Sequence, residues 1–184
     1  MVWTSPMTAV DNSAMTASLY NAQIRDNLRA MAPFLASGAG QIFVTTGANA
    51  LAARTVHYDE VATSQTTTSS SYTDLSTPGP SVTVGAIYGQ QAMVFTSCEL
   101  NQNGADLQAS AAVEVSGASS YPAVDTRCAI TRDGMVASNA IQMMGCYLYD
   151  PLSRDGTITF TMKYRNGGSG TATFAKRRIL VLAL

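Results

Sequence analysis

The sequence predicts a mainly β protein, with an N-terminal extended arm and a single α-helix (a short coiled coil) followed by an antiparallel β-sandwich or jelly roll. About eight short strand-like segments recur at spacings of roughly 8–12 residues, with no helical pattern between them. The one helical period covers residues 13–31. Hydrophobic residues form 46% of the chain, which is typical of folded proteins and argues against disorder.

The helix is predicted from apolar residues that recur at alternating steps of four and three residues. This spacing averages 3.5 residues, as in the seam of a coiled coil, and an ordinary amphipathic helix lying on its own domain is the alternative. Asn21 on the seam would fix the register of packed helices at some cost in stability. The seam residues are Ala17, Asn21, Ile24, Leu28 and Met31.

The predicted helix has recognisable ends. Asp11, Asn12 and Ser13 are all good N-cap residues, because their side chains accept hydrogen bonds from the free amides of the first turn. Pro33 has no amide hydrogen and disfavours helical angles in the residue before it, so the helix should end near Met31.

Three regions are predicted along the chain. Residues 1–36 form an arm and helix for anchoring and oligomerisation, and residues 37–55 form a linker or collar with a short strand. Residues 56–184 form the β-sandwich domain. In the arm, Trp3 either docks on a partner, where tryptophan is a natural anchor, or packs against the chain's own domain.

The strands of the third region are predicted from alternation and from turn residues. Alternation is strictest over residues 157–164, where Ile158, Phe160, Met162 and Tyr164 alternate with threonine and lysine. Asn166 to Gly170 supplies the residues that a hairpin loop needs. Further strands are predicted at residues 56–62, 80–84, 91–100, 109–115, 125–130, 141–149 and 171–184, and an exposed loop or edge strand at residues 64–71.

Composition excludes several classes of partner. Charged residues are only 12% of the chain and the net charge is −1, so nothing directs the protein to nucleic acid or to an anionic membrane. No apolar run approaches the ~18 residues of a membrane span. No signal peptide is visible, so we expect a soluble protein made in a cytoplasm.

The sequence contains no recognisable catalytic, metal or cofactor site, so we expect no enzyme and no cofactor. His57 is the only histidine, and Cys98, Cys128 and Cys146 lack metal-binding spacing. The three cysteines lie in predicted strands, which favours buried free thiols. The Lys176–Arg178 run is the only basic cluster, and we expect it to form ion pairs across subunits or to face water.

The N-terminal segment resembles the start of many small virion proteins of tailed bacteriophages, such as minor tail proteins, tail-fibre-like proteins and head fibres. The resemblance rests on Trp3, Thr4, Pro6 and Thr8, on Asn12-Ser13-Ala14 and on the Arg25-Asp26-Asn27-Leu28 core within residues 21–28. It covers residues 1 to about 30 and extends more loosely to the Ser/Thr-rich start and the end of the β-rich part. It implies a virion anchor at the N-terminus and an outward-facing β-domain. Unlike that pattern, this chain has no long fibre shaft.

Three functions follow as hypotheses. The first is a non-enzymatic structural component of the virion, assembled in the host cytoplasm as a homotrimer that contacts other virion proteins of the capsid or tail. The second is a module that binds a host-surface glycan or protein through loops 63–71 and 116–121, with Tyr72 and Tyr121 exposed. The third, a small hydrolase, is disfavoured by the missing site. The anchoring and interface residues are Trp3, Pro6, Ala17, Asn21, Ile24, Arg25, Asp26, Leu28 and Met31.

Overall fold

A computed structural model describes residues 14–29, 36–48, 50–85, 91–104, 108–131 and 140–184. The described chain is mainly β, with two antiparallel sheets, so the predicted fold class is confirmed. The chain divides into two units, Met1–Thr55 and Val56–Leu184. The helical segment and a hairpin lie in the first unit, and the sandwich forms the second.

The helical segment has three parts: α1 (Ala17–Tyr20), a π-helical turn (Asn21–Arg25) and α2 (Asp26–Arg29). The helix begins later than predicted, because Thr16 is its N-cap and its hydroxyl accepts a hydrogen bond of 3.2 Å from the Leu19 amide. A π turn contains one more residue than an α turn. The residues that follow it are therefore rotated around the helix axis, away from the positions that a regular 3.5-residue spacing would give them on the seam. The predicted end near Met31 lies outside the described residues.

The first unit also contains an antiparallel hairpin. Strand β1 (Gln41–Gly47) pairs with the first half of β2 (Ala50–Val61), from Gln41 opposite Thr55 to Gly47 opposite Ala50. A register irregularity falls between Thr45 and Gly47. Residues 51–55, whose sequence did not distinguish strand from loop, are therefore part of a long strand that continues into the second unit.

The second unit is a sandwich of two antiparallel sheets, each of which contains strands distant in sequence. In the first sheet the order is β2-β10-β5-β8, and β3 also pairs with β10; in the second it is β4-β9-β6-β7. Residues 125–127, predicted as strand, form a 3-10 turn before β7. The strands are β3 Gln65–Thr67, β4 Ser81–Val84, β5 Ala92–Gln102, β6 Ala109–Gly117, β7 Cys128–Thr131, β8 Ile141–Tyr149, β9 Ile158–Asn166 and β10 Ala172–Ala183.

The core lies between the two sheets. Every second residue of β5 and of β9 is buried, as their alternation predicts. Aromatic rings form the centre of this core: Tyr149 meets Phe160 edge to face at 5.8 Å between ring centroids, and Tyr164 packs on Phe174 at 4.9 Å. On its outer side β9 therefore presents threonine, lysine and arginine, whereas β5 presents Met93 and Phe95 together with polar residues.

A β-bulge in β10 reverses which of its residues point inward. Ala175 pairs with Glu99, but Arg178 pairs with Ser97, so β10 contains one extra residue at this point. Within this irregularity Lys176 has a φ of 49°, in the left-handed region that one type of bulge uses. Before the bulge the buried residues are even-numbered, as at Phe174, and after it they are odd-numbered, from Arg177 onward.

The bulge places the Arg177 side chain inside the protein, where it is fully buried. Its guanidinium donates hydrogen bonds to the carbonyl oxygens of Thr77 (3.1 Å) and Gly79 (2.9 Å). It also donates to the Thr63 carbonyl (3.4 Å) and to Oε1 of Gln65 (3.0 Å). The guanidinium carbon lies 5.2 Å from the Tyr164 ring centroid. These contacts join two loops to β10.

The burial of Arg177 corrects the expectation for that residue, whereas Lys176 and Arg178 are exposed to water, as expected, and each also forms an ion pair within the chain. Lys176 Nζ lies 2.7 Å from Oε2 of Glu99, and Arg178 Nε lies 3.1 Å from Oε2 of Glu60. Neighbouring residues in a strand point to opposite faces, which explains why Arg177 and Arg178 meet such different surroundings.

The three cysteines are free thiols, but they are not all buried as predicted. Cys98 and Cys128 are buried, whereas Cys146 is exposed. Burial raises the pKa of the Cys98 thiol to about 12. The prediction is wrong for Cys146 because β8, although almost entirely apolar, has one face directed away from the core.

We expect Arg177→Ala to lower the free energy of unfolding by about 4 kcal/mol, since it removes four hydrogen bonds to residues 63–79 and leaves a cavity in the core. The matched control is the neighbouring Arg178→Ala, which removes only an exposed ion pair and should cost at most about 1 kcal/mol. Urea unfolding at one fixed protein concentration measures both. Equal losses for the two variants would contradict the structural role of Arg177.

We also predict that, at a dilution at which the protein is monomeric, a disulfide reagent modifies one thiol of the folded chain rapidly at pH 8. Because the thiolate is the reacting form, a pKa of about 12 leaves Cys98 only on the order of 10⁻⁴ ionised at that pH, and its burial blocks access. Cys146→Ser should abolish the rapid reaction. In the wild-type protein unfolded in guanidinium chloride, all three thiols should react. Rapid reaction of two or more thiols in the native state would refute this assignment.

Candidate interaction surfaces

The structure places some of the predicted anchoring residues on the helical segment. Ala17, Ile24, Arg25 and Leu28 are exposed, and Asn21 is half-buried. Leu28 is 51% exposed, so the described residues leave this part of the seam largely uncovered. Asp26 begins α2, and its side chain is outside the description. Trp3, Pro6 and Met31 also lie outside the described residues.

A larger apolar surface lies on the outer side of the first sheet. Three rows of side chains cross its strands, and the middle row runs from Tyr58 through Leu180 and Phe95 to Cys146. We call this surface the apolar face. It consists of Val56, Tyr58, Met93, Phe95, Met144, Cys146, Leu148, Leu180 and Leu182.

Several members of the apolar face are strongly exposed. Met144 is 73% exposed, Tyr58 55% and Leu148 52%. A recess of about 80 Å³ lies beside Met144 and Tyr58, and Phe95 and Leu180 also line it. Single exposed apolar residues are normal, but a contiguous patch of them on a sheet is typical of an interaction surface.

Polar groups at one end of the apolar face are already paired. The Tyr58 hydroxyl donates to Glu60, whose carboxylate also accepts from Arg178. The hydrogen bond to Glu60 raises the pKa of Tyr58, and the bonds from Tyr58 and Arg178 lower the pKa of Glu60. Glu60 therefore remains ionised, and its charge is balanced by that of Arg178.

A second surface, which we call the polar cleft, lies on the outer side of the second sheet. It is a concavity of about 370 Å³ between the loop that follows β3 and the segment that precedes the 3-10 turn. Charged residues of β6 and β9 also line it. Its lining residues are Ser70, Ser71, Tyr72, Glu114, Pro122, Ala123, Lys163 and Arg165.

Ion pairs hold the cations of the polar cleft in place. Lys163 Nζ lies 2.7 Å from Oδ2 of Asp74 and 3.2 Å from Oε2 of Glu114. Burial alone would lower the pKa of Lys163, but its hydrogen bonds to the two carboxylates raise that pKa above the ordinary value. Arg165 Nη2 lies 2.5 Å from Oδ2 of Asp125. Lys163 therefore stays charged, and ion pairs fix the positions of both cations.

The two tyrosines expected to be exposed are both half-buried, which corrects that expectation. Tyr72 donates a hydrogen bond of 2.7 Å to Asp125, and burial followed by this bond raises its pKa. Tyr121 packs edge to face on Tyr149 at 5.7 Å and donates to the Pro151 carbonyl. Tyr72 lines the polar cleft, whereas Tyr121 supports the core.

Sequence reasoning did not identify either surface as a unit. The apolar face combines residues of four strands. The order in which these strands pair cannot be deduced from the alternation within any one of them. The polar cleft combines residues that lie as far apart in sequence as Ser70 and Arg165. The one sequence feature that pointed to the polar cleft was the Ser/Thr-rich loop 63–71, of which Ser70 and Ser71 line the cleft.

The described part of the chain does not assemble a metal-binding group of three or more His, Cys, Asp or Glu side chains. His57 is half-buried on β2. None of the described helical segments has the length and apolar character that crossing a bilayer requires.

No protein-family model matches the sequence, and no curated protein matches it. Among solved structures, the chain is similar to Eiger TNF from S. frugiperda, with 9% identity and a TM-score of 0.48 over 71% of this chain and 92% of that one. It is also similar to the VP2 subviral particle of infectious bursal disease virus, with 13% identity and a TM-score of 0.47 over 70% of this chain and 32% of that one. At these scores and identities, the similarities assign neither a family nor a function.

Proposed function

We propose that the protein is a non-enzymatic structural component of a bacteriophage virion. In this proposal the N-terminus anchors the chain to other virion proteins of the capsid or tail, and the β-sandwich faces outward in a homotrimer assembled in the host cytoplasm. A capsid decoration or head fibre and a minor tail protein both fit this role.

The observation that carries the proposal is the apolar face. A free monomer would expose Met144, Leu148 and Tyr58 to water, although burial of such side chains stabilises by about 1.5–3 kcal/mol each. Association through this face removes that surface from water. A self-associating surface needs few charges, and this face has its only ion pair, Arg178 with Glu60, at one end.

The exposed seam of the helical segment supports the same oligomer. Ile24 is 37% exposed and Leu28 51%, so copies of the helix packed in parallel would bury apolar surface that one copy exposes. Such helices beside β-domains on a threefold axis give a closed trimer. The virion location is supported by the resemblance that Trp3, Pro6 and the segment 25–28 carry.

The second candidate function is binding of a host-surface glycan or protein. The specific observation in its favour is the polar cleft, because it is concave and its serine, tyrosine and charged side chains converge from four segments. This function is compatible with a structural role, since the polar cleft and the apolar face lie on different sheets.

We predict that light scattering gives the mass of a trimer for the full chain. A shortened chain that begins at Gly38 separates the two association surfaces. If it becomes monomeric, the helical segment organises the assembly; if it stays trimeric, the apolar face does. A monomeric full chain would refute the proposed oligomer.

Leu148→Lys tests the apolar face directly in the same measurement. A charge placed within an apolar contact is costly to bury, so we expect the variant to weaken association at least tenfold. Thr83→Lys is the matched control, because it adds the same charge to an exposed residue of β4 in the other sheet. Unchanged association of Leu148→Lys, or equal effects of both variants, would remove the apolar face from the interface.

We further predict that antibodies against residues 56–184 label intact particles of the phage that carries the gene. Immunogold electron microscopy should show the label at one location, either the capsid or the tail, since an anchored component occupies a fixed site. The control is a particle preparation from a phage in which the gene is deleted. Absence of label on intact wild-type particles would contradict a displayed virion component.

A further inference from the structure

We propose that the polar cleft on the second sheet is a binding site for an uncharged saccharide. The site deepens the second candidate function, because it defines both the place and the ligand class. Its volume of about 370 Å³ falls within the range of about 300–1,000 Å³ that is typical of small-molecule sites. One or two sugar rings are ligands of a suitable size.

The charges of the cleft favour a neutral ligand over an anionic one. Three carboxylates, those of Asp74, Glu114 and Asp125, surround two cations, Lys163 and Arg165. Each cation is therefore already neutralised, and one negative charge remains in excess. A sialylated, sulfated or phosphorylated ligand would have to displace a carboxylate from its cation and would meet the repulsion of the others.

The hydrogen-bonding groups suit hydroxyls. A sugar hydroxyl both donates and accepts, and the cleft presents both kinds of partner. Each ionised carboxylate has about four acceptor positions, so Glu114 retains capacity after its bond to Lys163. The hydroxyls of Ser70 and Ser71 act in either direction. The ammonium of Lys163 has three donors, of which two reach Asp74 and Glu114.

The cleft also has apolar and rigid parts that suit the C–H faces of a sugar ring. Pro122 and Ala123 line one side. The Tyr72 ring is fixed by its hydroxyl bond to Asp125 and by the Arg165 guanidinium, which lies 5.4 Å from the ring centroid. A site whose side chains are already held by ion pairs and hydrogen bonds loses little conformational entropy when a ligand binds.

The first experiment is binding of the full-length protein to an array of neutral, sialylated and sulfated glycans. We expect neutral glycans to be bound and the charged ones to be bound at least tenfold more weakly. Binding to none of the glycans, or preference for the charged ones, would overturn the proposal.

The second experiment is calorimetric titration of the best neutral glycan into variants. We expect Glu114→Gln to raise the dissociation constant at least tenfold, because a charged acceptor is lost and Lys163 loses a partner. Ser71→Trp should abolish binding by filling the cleft. The matched control is Glu99→Gln, which also breaks a lysine–carboxylate pair but lies outside the cleft, and it should bind as the wild type does.

Equal affinity of Glu114→Gln and wild type would overturn the site, provided that circular dichroism shows both to be folded. Leu148→Lys separates this proposal from the proposed oligomer. If that variant is monomeric and still binds with the wild-type constant per site, the cleft acts within a single chain. If the monomeric Leu148→Lys variant no longer bound the glycan, the assignment of the site to a cleft formed by a single chain would be overturned.

Discussion

The buried guanidinium of Arg177 is the contact on which much of the sandwich depends. A buried charge is costly unless its donors are satisfied, and here four acceptors from residues 63–79 accept hydrogen bonds from Nη1 and Nη2, while Nε has no partner among the described residues. The interaction therefore fixes the loops before β4 against the centre of the first sheet. It also requires the bulge at Lys176, since an unbroken β10 would direct Arg177 outward.

The bulge has a second consequence for the outer surface. Because it reverses the alternation of β10, Ile179 and Val181 enter the core, whereas Leu180 and Leu182 point outward. The two outward leucines meet Phe95 and Met93 of β5. One backbone irregularity thus both buries an arginine and extends the apolar face.

The sequence contained enough information for the fold class but not for these details. The strict alternation of β9 identified its inward residues, because threonine and large apolar side chains differ clearly in preferred environment. Residues 179–184 are all apolar. Hydrophobic side chains would therefore be buried whether the odd-numbered or the even-numbered residues of this segment pointed inward. Arg177 was unpredictable because charge normally indicates exposure. The polar cleft depends on which loops meet, which follows from strand order and not from any local pattern.

The two outer faces of the sandwich therefore differ in chemistry, and this difference bears on how one chain could serve two roles. In the proposed oligomer, association through the apolar face would bury Leu148 and Met144 of β8 and leave β9 and β6 of the other sheet accessible. The ion pairs of Lys163 and Arg165 would consequently remain at the surface of an assembled oligomer. Several copies of the polar cleft on one oligomer would then act together, because linked sites raise the effective concentration of a weakly bound surface ligand. Low affinity at a single cleft is thus compatible with firm attachment of the assembly.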